Sequence, residues 1–316
     1  MNPPIDWLSG GRNKSADSSK DDKDGKTAGS PTTTDTSTPP QVDDLNARLA
    51  LFVPETPRRR LADLVLSAVT ERQLRTALAK IQYHDKLYGE WGLDTIHPEG
   101  RGMAINLYGP PGTGKSFAAE GIADYLGRPL LRIDYAQIES RFVGDTPKNI
   151  TAAFEAAHEF SAILFFDEAD SMLSRRATNI TQAADYGVNV SRSTLLLQLD
   201  SFDGVALFAT NLLSNYDPAF MRRILAHVYF PLPDEPALVR LWQYHLPAKL
   251  PRDADVTPEA LATRSAGLSG GEILNAVLLA AAAAVERDAT AVSLPDFEAA
   301  LAQIRQSRED QGSHVE

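Results

Sequence analysis

The sequence Gly109-Pro110-Pro111-Gly112-Thr113-Gly114-Lys115-Ser116 decides the fold of this chain. It fits the pattern G-x-x-x-x-G-K-[ST], in which glycines let the backbone curve around a polyphosphate and point its N–H groups inward. The pattern requires a strand before it and a helix after it. Residues 102–108 predict a buried strand, and residues 117–126 have helical apolar spacing that ends at Gly127. A Gly/Pro turn that ends in Lys-Ser by chance is therefore the weaker interpretation.

Lys115 and Ser116 have separate expected roles in such a loop. Lys115 reaches the outer phosphates as a positive charge, and the following helix presents its positive N-terminal end to the same oxygens. The Ser116 hydroxyl is an oxygen ligand of the kind that Mg²⁺ prefers, in a coordination shell that keeps several waters. We therefore predict ATP and Mg²⁺ as cofactors, with residues 109–116 holding the phosphates.

The composition is that of an ordinary globular chain, and it limits the kinds of partner that the chain is expected to bind. The 316 residues are 43% hydrophobic and 23% charged, which is enough apolar material for a large core. A net charge of -11 and a pI near 5.1 argue against broad electrostatic binding to nucleic acid. Cysteine is absent, which excludes disulfides and thiol chemistry.

No segment predicts export or membrane insertion. The longest apolar run, residues 276–285, is too short to cross a bilayer and is typical of a buried helix. Near the N-terminus, Asp6 and Gly10-Gly11 interrupt any apolar core of a signal peptide. We therefore expect a cytoplasmic protein.

The chain divides into five predicted regions. Residues 12–40 contain no large apolar side chain and cannot bury enough surface to offset the entropy of ordering. We therefore expect a disordered tail over 1–42, a linker with a short helix over 43–58, a large α/β domain over 59–233, a small helical domain over 234–308 and a polar tail over 309–316. At the start of the large domain, residues 61–81 have helical spacing and predict one continuous helix.

Strand and helix patterns alternate through the large domain, as in a parallel sheet with crossover helices. Further strands are expected at residues 129–135, 162–167, 204–210 and 227–232, with helices at 147–160 and 191–199. With the strand before the phosphate loop, these elements predict an α/β fold with a doubly wound, five-stranded parallel sheet. Ligands in such folds bind at the carboxyl ends of the strands.

The sequence after Pro233 predicts helices only, and so a small helical lid domain. Thr257-Pro258 combines a capping residue with proline at the first helical position. Ser269-Gly270-Gly271-Glu272 forms a capping box before a long apolar helix, and residues 293–296 begin another helix in the same way.

An acidic motif follows a buried strand in the middle of the large domain. Residues 163–166 are all apolar, and they run into Asp167-Glu168-Ala169-Asp170. We predict that Asp167 holds Mg²⁺ through its waters and that Glu168 polarises the water that attacks the γ-phosphate. Asp170 supports these two. The alternative is a helix N-terminus enriched in acids by the helix dipole.

Asn211 is the polar residue at the end of a further strand, residues 208–210. This strand is expected beside the one that ends at Asp167. An amide at this position can hold the attacking water or a phosphate oxygen, so Asn211 is a candidate γ-phosphate sensor. A turn-forming asparagine at a strand end is the alternative.

Four motifs in this order resemble those of an AAA ATPase. They are the phosphate loop, residues 166–170, Ala209-Thr210-Asn211, and residues 217–224 followed by 228–233. Over residues 59–307 the chain is most similar to the single-ring branch that includes spastin and katanin. The resemblance implies a homo-oligomer, most simply a hexameric ring, with ATP bound between subunits.

The resemblance also assigns residues outside the phosphate loop. Arg222 and Arg223 stand where that branch carries arginine fingers, which stabilise charge on the γ-phosphate of a neighbouring subunit, and we favour Arg223. Two basic residues at a helix end, placed there by the dipole, are the alternative. Gly270 and Gly271 match a lid segment that passes close to the adenine and ribose. Residues 63–65 resemble the segment that leads to the adenine, although the glycine common after it is missing.

A candidate substrate loop follows the second strand. Phe142-Val143-Gly144 resembles the aromatic, hydrophobic, glycine loop that faces the central pore of such rings. An aromatic side chain there grips polypeptide without reading its sequence, while the glycine leaves the loop free to move. Phe142 as a simple core residue is the alternative. Residues 175–187 form a long insertion that would lie near a second pore loop, with Arg175 or Arg176 contacting a neighbour or the substrate.

The sequence therefore predicts an ATP hydrolase that works in a ring to remodel, unfold or disassemble a protein substrate. Its partners would be further copies of the chain and a protein substrate or adaptor, with no nucleic acid. The competing class is a nucleic-acid-directed loader, a regulatory switch or an assembly scaffold of the same family, which salt-sensitive DNA binding would reveal.

Overall fold

The computed structural model is a parallel sheet flanked by helices and followed by a group of helices. It describes residues 47–96, 102–134, 138, 145–173, 183–211 and 216–313. The helices and strands in chain order are α1 (Ala68–Gln82), β1 (Met103–Tyr108), α2 (Lys115–Leu126), β2 (Leu130–Ile133), α3 (Asp145–Glu159), β3 (Ile163–Phe166), α4 (Asp170–Leu173), α5 (Ala183–Ser201), β4 (Val205–Thr210), α6 (Pro218–Arg223), β5 (Ile224–Tyr229), α7 (Glu235–His245), α8 (Pro258–Ala262), α9 (Gly270–Glu286) and α10 (Leu294–Ser313). Single short turns of other helix types lie at Leu61–Asp63, Lys86–Glu90 and Leu93–Thr95.

The five strands form one sheet in the order β2-β3-β4-β1-β5, and every neighbouring pair is parallel. Parallel neighbours need crossover connections, and the helices between the strands provide them. This confirms the predicted α/β fold with a five-stranded parallel sheet. It also confirms that β4 lies beside β3, so that their carboxyl ends meet at one edge of the sheet.

Each face of the sheet packs against its own set of helices. Alternate side chains of β3 point to opposite faces, because side chains alternate along a strand. Leu164 and Phe166 join a core with α3 and α5, whereas Ile163 and Phe165 join a second core with α1 and α2. All four side chains are fully buried, which explains why this strand is a continuous apolar run.

The C-terminal helices have a separate core around Trp242, whose ring lies 5.7 Å from that of Phe297 in an edge-to-face arrangement. Their predicted caps are present. The Thr257 hydroxyl accepts from the Ala260 N–H, and Ser269 forms a full capping box. The longest apolar run lies in α9, and none of the helices described above is long and apolar enough to cross a membrane.

The predicted single helix over residues 61–81 is wrong in its first part. Only a short turn at Leu61–Asp63 forms there, and α1 begins at Ala68. The Ser67 hydroxyl accepts from the Thr70 N–H at 3.2 Å, so it caps the helix and ends the extended backbone before it. Helical spacing in the sequence did not reveal this break, which places residues 64–67 along the nucleotide cleft described below.

Other element bounds also differ from the predictions. Strand β5 covers residues 224–229 rather than 227–232, because Pro231 has no N–H to donate to a sheet. Helix α5 already begins at Ala183, within the predicted insertion 175–187, and α10 continues to Ser313, past the predicted boundary at 308. The bounds of the tail, linker and domains otherwise stay predictions.

We predict that Ser265→Ala destabilises the C-terminal helices. The buried Ser265 hydroxyl accepts from the Trp242 indole N–H at 2.9 Å, and alanine would leave that donor without a partner. An unsatisfied buried donor costs about 1–3 kcal/mol. Urea unfolding followed by tryptophan fluorescence should show a lower midpoint. The exposed Ser307 is the control, because Ser307→Ala removes only a bond to Gln303 in solvent; equal midpoints for the two variants would contradict the prediction.

Candidate functional site

The phosphate loop connects β1 to α2 and depends on glycine at three positions. Gly109, Gly112 and Gly114 have φ angles of +143°, +73° and +100°, a region that other residues rarely adopt. Two of them also lack space for a side chain. A Cβ on Gly109 would lie 2.2 Å from the Phe230 carbonyl oxygen, and one on Gly112 would lie 2.5 Å from the Ser269 hydroxyl.

The Lys115 ammonium group is buried within this loop. Its Nζ donates to the Gly109 and Pro110 carbonyl oxygens at 2.7 and 2.9 Å, and to Asn211 Oδ1 at 3.0 Å. These three acceptors match the three N–H donors of a lysine. Burial lowers the pKa of Lys115, while nearby aspartates oppose that shift. A phosphate oxygen can therefore exchange with one of these acceptors and gain a charge-assisted hydrogen bond.

Ser116 and Asp167 come together as the sequence predicted. Ser116 Oγ donates to Asp167 Oδ2 at 3.0 Å and lies 3.3 Å from Oδ1. A hydroxyl and a carboxylate beside a phosphate loop are hard oxygen donors suited to Mg²⁺, which takes few protein ligands and keeps waters and phosphate oxygens. Among the described residues, no group of three or more His, Asp or Glu could hold a metal ion. The Ser116 hydroxyl and the Asp167 carboxylate by themselves fit Mg²⁺ that is bound together with a nucleotide.

Glu168 follows β3 in a left-handed conformation, with φ at +52°. This region is uncommon for residues other than glycine, and such backbone strain concentrates at functional sites. Its N–H lies 3.2 Å from Asp167 Oδ1, and its side chain borders the cleft. The position suits a base that activates water next to the terminal phosphate.

Asp170 contacts the end of the neighbouring strand β4. Its two carboxylate oxygens accept from the Asn211 backbone N–H at 3.0 and 3.2 Å. This contact joins the start of α4 to the end of β4. It holds the Asn211 side chain where its Oδ1 meets Lys115, so the candidate sensor and the phosphate loop are in direct contact.

These residues line a cleft of about 620 Å³ between the sheet and the C-terminal helices. Its phosphate end contains most of the predicted loop residues together with the acidic motif and the sensor, namely Pro111, Gly112, Thr113, Gly114, Lys115, Ser116, Asp167, Glu168 and Asn211. Its other end is more apolar. Leu64 and Val65 line it from the extended segment before α1, and Tyr244 and His245 line it from the end of α7. This end suits an adenine ring.

A small aromatic and cationic group closes the apolar end, and the sequence did not predict it. The Arg59 guanidinium lies 4.9 Å from the centroid of the Phe117 ring, and that ring meets Tyr244 edge-on at 6.3 Å. Burial, together with the charge of Arg59, lowers the pKa of His245. The neutral form of this imidazole is therefore favoured near neutral pH.

Gly270 and Gly271 border the cleft at the first turn of α9. The Gly271 N–H donates to the Gly112 carbonyl oxygen at 3.1 Å, so the lid helix is tied directly to the phosphate loop. A Cβ on Gly271 would lie 3.4 Å from the Gly112 Cα, which is close contact without overlap. Both glycines border the cleft and lie against the phosphate loop, and their proximity to adenine and ribose stays a prediction.

Arg222 and Arg223 lie on α6 and are not among the described residues that line this cleft. Arg223 is held within its own chain. Its Nε and Nη2 bond both Asp200 oxygens at 2.6 and 2.7 Å, and Nη1 donates to the Ala219 carbonyl oxygen. This pair raises the pKa of Arg223. Arg222 is exposed to solvent.

Arg132 is a site residue that sequence reasoning missed. It lies on β2, and its guanidinium contacts Asp167 Oδ2 at 2.9 Å and Glu120 Oε1 at 3.2 Å. The signal was present, because an arginine inside the short apolar strand Leu130–Ile133 must have a partner. The candidate substrate loop Phe142-Val143-Gly144 and the pair Arg175-Arg176 lie outside the described residues.

The parallel sheet and the phosphate loop together define a P-loop nucleoside triphosphatase domain, with two acids and an amide placed beside the loop. Residues 105–232 match the model of the ATPase family associated with various cellular activities, AAA. This match assigns residues 105–232 to an AAA ATPase domain.

Several relatives are similar over most of this chain. The proteasome-activating nucleotidase of Methanopyrus kandleri is 29% identical over 83% of this chain and 60% of its own length. The 26S proteasome regulatory subunit 4 homolog of Schizosaccharomyces pombe is 30% identical, over 76% and 54% of the two chains. The ATP-dependent zinc metalloprotease FtsH of Acidimicrobium ferrooxidans is 34% identical, over 63% and 31%.

This chain spans about half the length of the curated relatives it matches. By their names, two of the three relatives above are a proteasome-activating nucleotidase and a proteasome regulatory subunit, and the third is an ATP-dependent protease. The comparisons therefore support the AAA family without favouring the spastin and katanin branch that the motifs resembled.

We predict that Gly112→Ala weakens nucleotide binding roughly tenfold, because its Cβ would displace the Ser269 hydroxyl and break the Gly271 hydrogen bond. Titration with a fluorescent ADP analogue measures this. Gly127→Ala is the matched control. Gly127 also has a positive φ of +64°, but a Cβ there would contact nothing within 4 Å. Equal affinities in the two variants would show that contact with the lid does not matter for binding.

Proposed function

We propose that this chain hydrolyses ATP with Mg²⁺ at the interfaces of a homo-oligomeric ring and uses that energy to remodel a protein substrate. One observation supports the proposal that each ATP site is shared between two copies of the chain. The candidate finger arginines lie on α6 and border no part of their own chain's cleft among the described residues. Such arginines act on a γ-phosphate only if a second copy brings its cleft to them.

Within α6, we now favour Arg222 as the finger and not Arg223. All three guanidinium nitrogens of Arg223 donate to Asp200 or to the Ala219 carbonyl oxygen. Releasing Arg223 would therefore break a bidentate ion pair. The exposed Arg222 needs no such rearrangement. Arg223 and Asp200 then serve to fix α6 against α5, which gives Arg222 a rigid base.

The remaining residues take the roles that the sequence predicted for them. Lys115 and the loop N–H groups bind the phosphates, while Ser116 and Asp167 hold Mg²⁺. Glu168 activates the attacking water, and Asn211 positions it or the γ-phosphate. Phe142, Val143 and Gly144 contact the substrate in the pore.

Protein remodelling is favoured over the alternatives by two lines of support. The net charge of -11 opposes binding to nucleic acid. The relatives named above are, by their names, two proteasomal proteins and a protease, that is, proteins concerned with polypeptides. The hexameric state, the branch within the family and the cytoplasmic location remain predictions from the sequence.

We predict that Arg222→Ala lowers ATP hydrolysis roughly a thousandfold, the order expected for a lost arginine finger, while leaving nucleotide binding intact. Arg223→Ala should act mainly on thermal stability, because it releases Asp200. Phosphate release and fluorescent ADP binding measure the two effects. A larger loss of hydrolysis in Arg223→Ala, without loss of stability, would return the finger role to Arg223.

Mixing inactive variants tests whether the site is shared. Lys115→Ala subunits lack phosphate binding but carry an intact Arg222, and Arg222→Ala subunits have the opposite defect. Equimolar mixtures should therefore regain part of the hydrolysis that neither variant shows alone. Mixtures that stay inactive, although sedimentation shows mixed assemblies, would rule out a site completed by a second copy.

We predict that the chain unfolds a test protein in an ATP-dependent manner. Green fluorescent protein with an unstructured tail should lose fluorescence with the wild-type chain and ATP. It should keep its fluorescence with Glu168→Gln, which binds ATP but cannot activate water. Phe142→Ala should lower the ratio of unfolding to hydrolysis, because the aromatic grip is lost. Hydrolysis without unfolding, together with salt-sensitive DNA binding, would favour the nucleic-acid alternative.

A further inference from the structure

Arg132 links two acids on either side of the phosphate site. Its Nη1 lies 2.9 Å from Asp167 Oδ2, after β3, and its Nη2 lies 3.2 Å from Glu120 Oε1, on α2. The guanidinium also lies over the Phe165 ring, 5.2 Å from its centroid, in a cation–π contact. Helix α2 is the one that begins at the phosphate loop. Arg132 therefore ties that helix to the strand carrying the acidic motif.

Asp167 is shared between Arg132 and Ser116. The same oxygen, Oδ2, accepts from Ser116 Oγ at 3.0 Å and from Arg132 Nη1 at 2.9 Å. Two donors on one oxygen fix the orientation of a carboxylate more strongly than one does. The side chains of Arg132, Glu120 and Asp167 are only 26%, 17% and 23% exposed, so solvent screens their charges incompletely.

The acids near the phosphate loop outnumber the cations that offset their charge. Glu120, Asp167, Glu168 and Asp170 concentrate negative charge next to a loop that has to accept polyphosphate. Lys115 offsets part of that charge from within the loop. Arg132 offsets it at Asp167 itself, which is the acid that Mg²⁺ would also neutralise. Arg132 and Mg²⁺ thus act on the same carboxylate. Because either cation offsets the negative charge of Asp167, the presence of one reduces the electrostatic attraction that the other experiences.

We propose that Arg132 is a positioning residue that holds Asp167 toward Ser116 and supplies positive charge at the metal position, so that nucleotide binds with only moderate dependence on Mg²⁺. The inference rests on the proposed nucleotide site and adds how that site balances its charge. Replacing Arg132 by a neutral residue leaves the negative charge of Asp167 without its positive partner. The site then attracts Mg²⁺ more strongly and binds a nucleotide without metal more weakly.

The test is the ratio of two dissociation constants of a fluorescent ADP analogue, one measured in EDTA and one in excess Mg²⁺. In Arg132→Gln this ratio should rise about tenfold over wild type, as expected for the loss of one unit charge that is paired with Asp167 in a partly screened site. Most of the rise should come from weaker binding in EDTA. A ratio equal to that of wild type would overturn the inference.

Matched variants separate charge from structure. Arg128→Gln removes the same charge before the N-terminal end of β2, where Arg128 lines a separate pocket with Asp203, and should leave the ratio unchanged. Arg132→Lys keeps the charge and should return the ratio toward wild type; if it behaves like Arg132→Gln, charge is not the cause. Glu120→Gln removes an acid and should lower the ratio, which provides a test even if Arg132→Gln does not fold.

The outcomes also distinguish this inference from the proposed function. A wild-type chain that binds no ADP analogue under either condition would overturn the nucleotide site itself. Normal binding by wild type and an unchanged ratio in Arg132→Gln would overturn only the role of Arg132.

Discussion

The site depends on the parallel pairing of β4 between β1 and β3. Because all three strands point the same way, their carboxyl ends meet, and the residues that follow them come within hydrogen-bonding distance. Asn211, after β4, contacts Lys115 after β1 through its side chain and Asp170 after β3 through its backbone. If this pairing were antiparallel, the phosphate loop, the acids and Asn211 would lie at opposite edges of the sheet, and with another strand order they would lie too far apart to make contact.

The cleft is completed by parts of the chain that lie far from the sheet in sequence. One wall is the extended segment before α1, and another is the first turn of α9, whose Gly271 N–H bonds the Gly112 carbonyl. This bond makes the position of the lid helix depend on the conformation of the loop that would hold phosphate. A nucleotide bound there therefore contacts both the sheet and the C-terminal helices, which is how binding could move one relative to the other.

Sequence reasoning succeeded where a pattern is short and local. The phosphate loop, the apolar strand before Asp167 and the capping box at Ser269 are each defined within a few residues, and each is found as predicted. It failed at residues 61–67, where helical spacing continues through a break, and at β5, whose start depends on pairing with β1. Pairing partners belong to the fold and leave no local mark on the sequence.

By itself, the sequence determined the fold class, and it predicted which residues would serve phosphate, metal and water, because those roles demand particular side chains at set spacings. Only the tertiary structure decided how charges are shared between them. It pairs Arg223 with Asp200 and leaves Arg222 exposed, and it brings Arg132 between Asp167 and Glu120. These ion pairs join residues that are remote in the chain. Because the strength of an electrostatic interaction depends on distance, the partners are set by the folded structure and not by composition or sequence order.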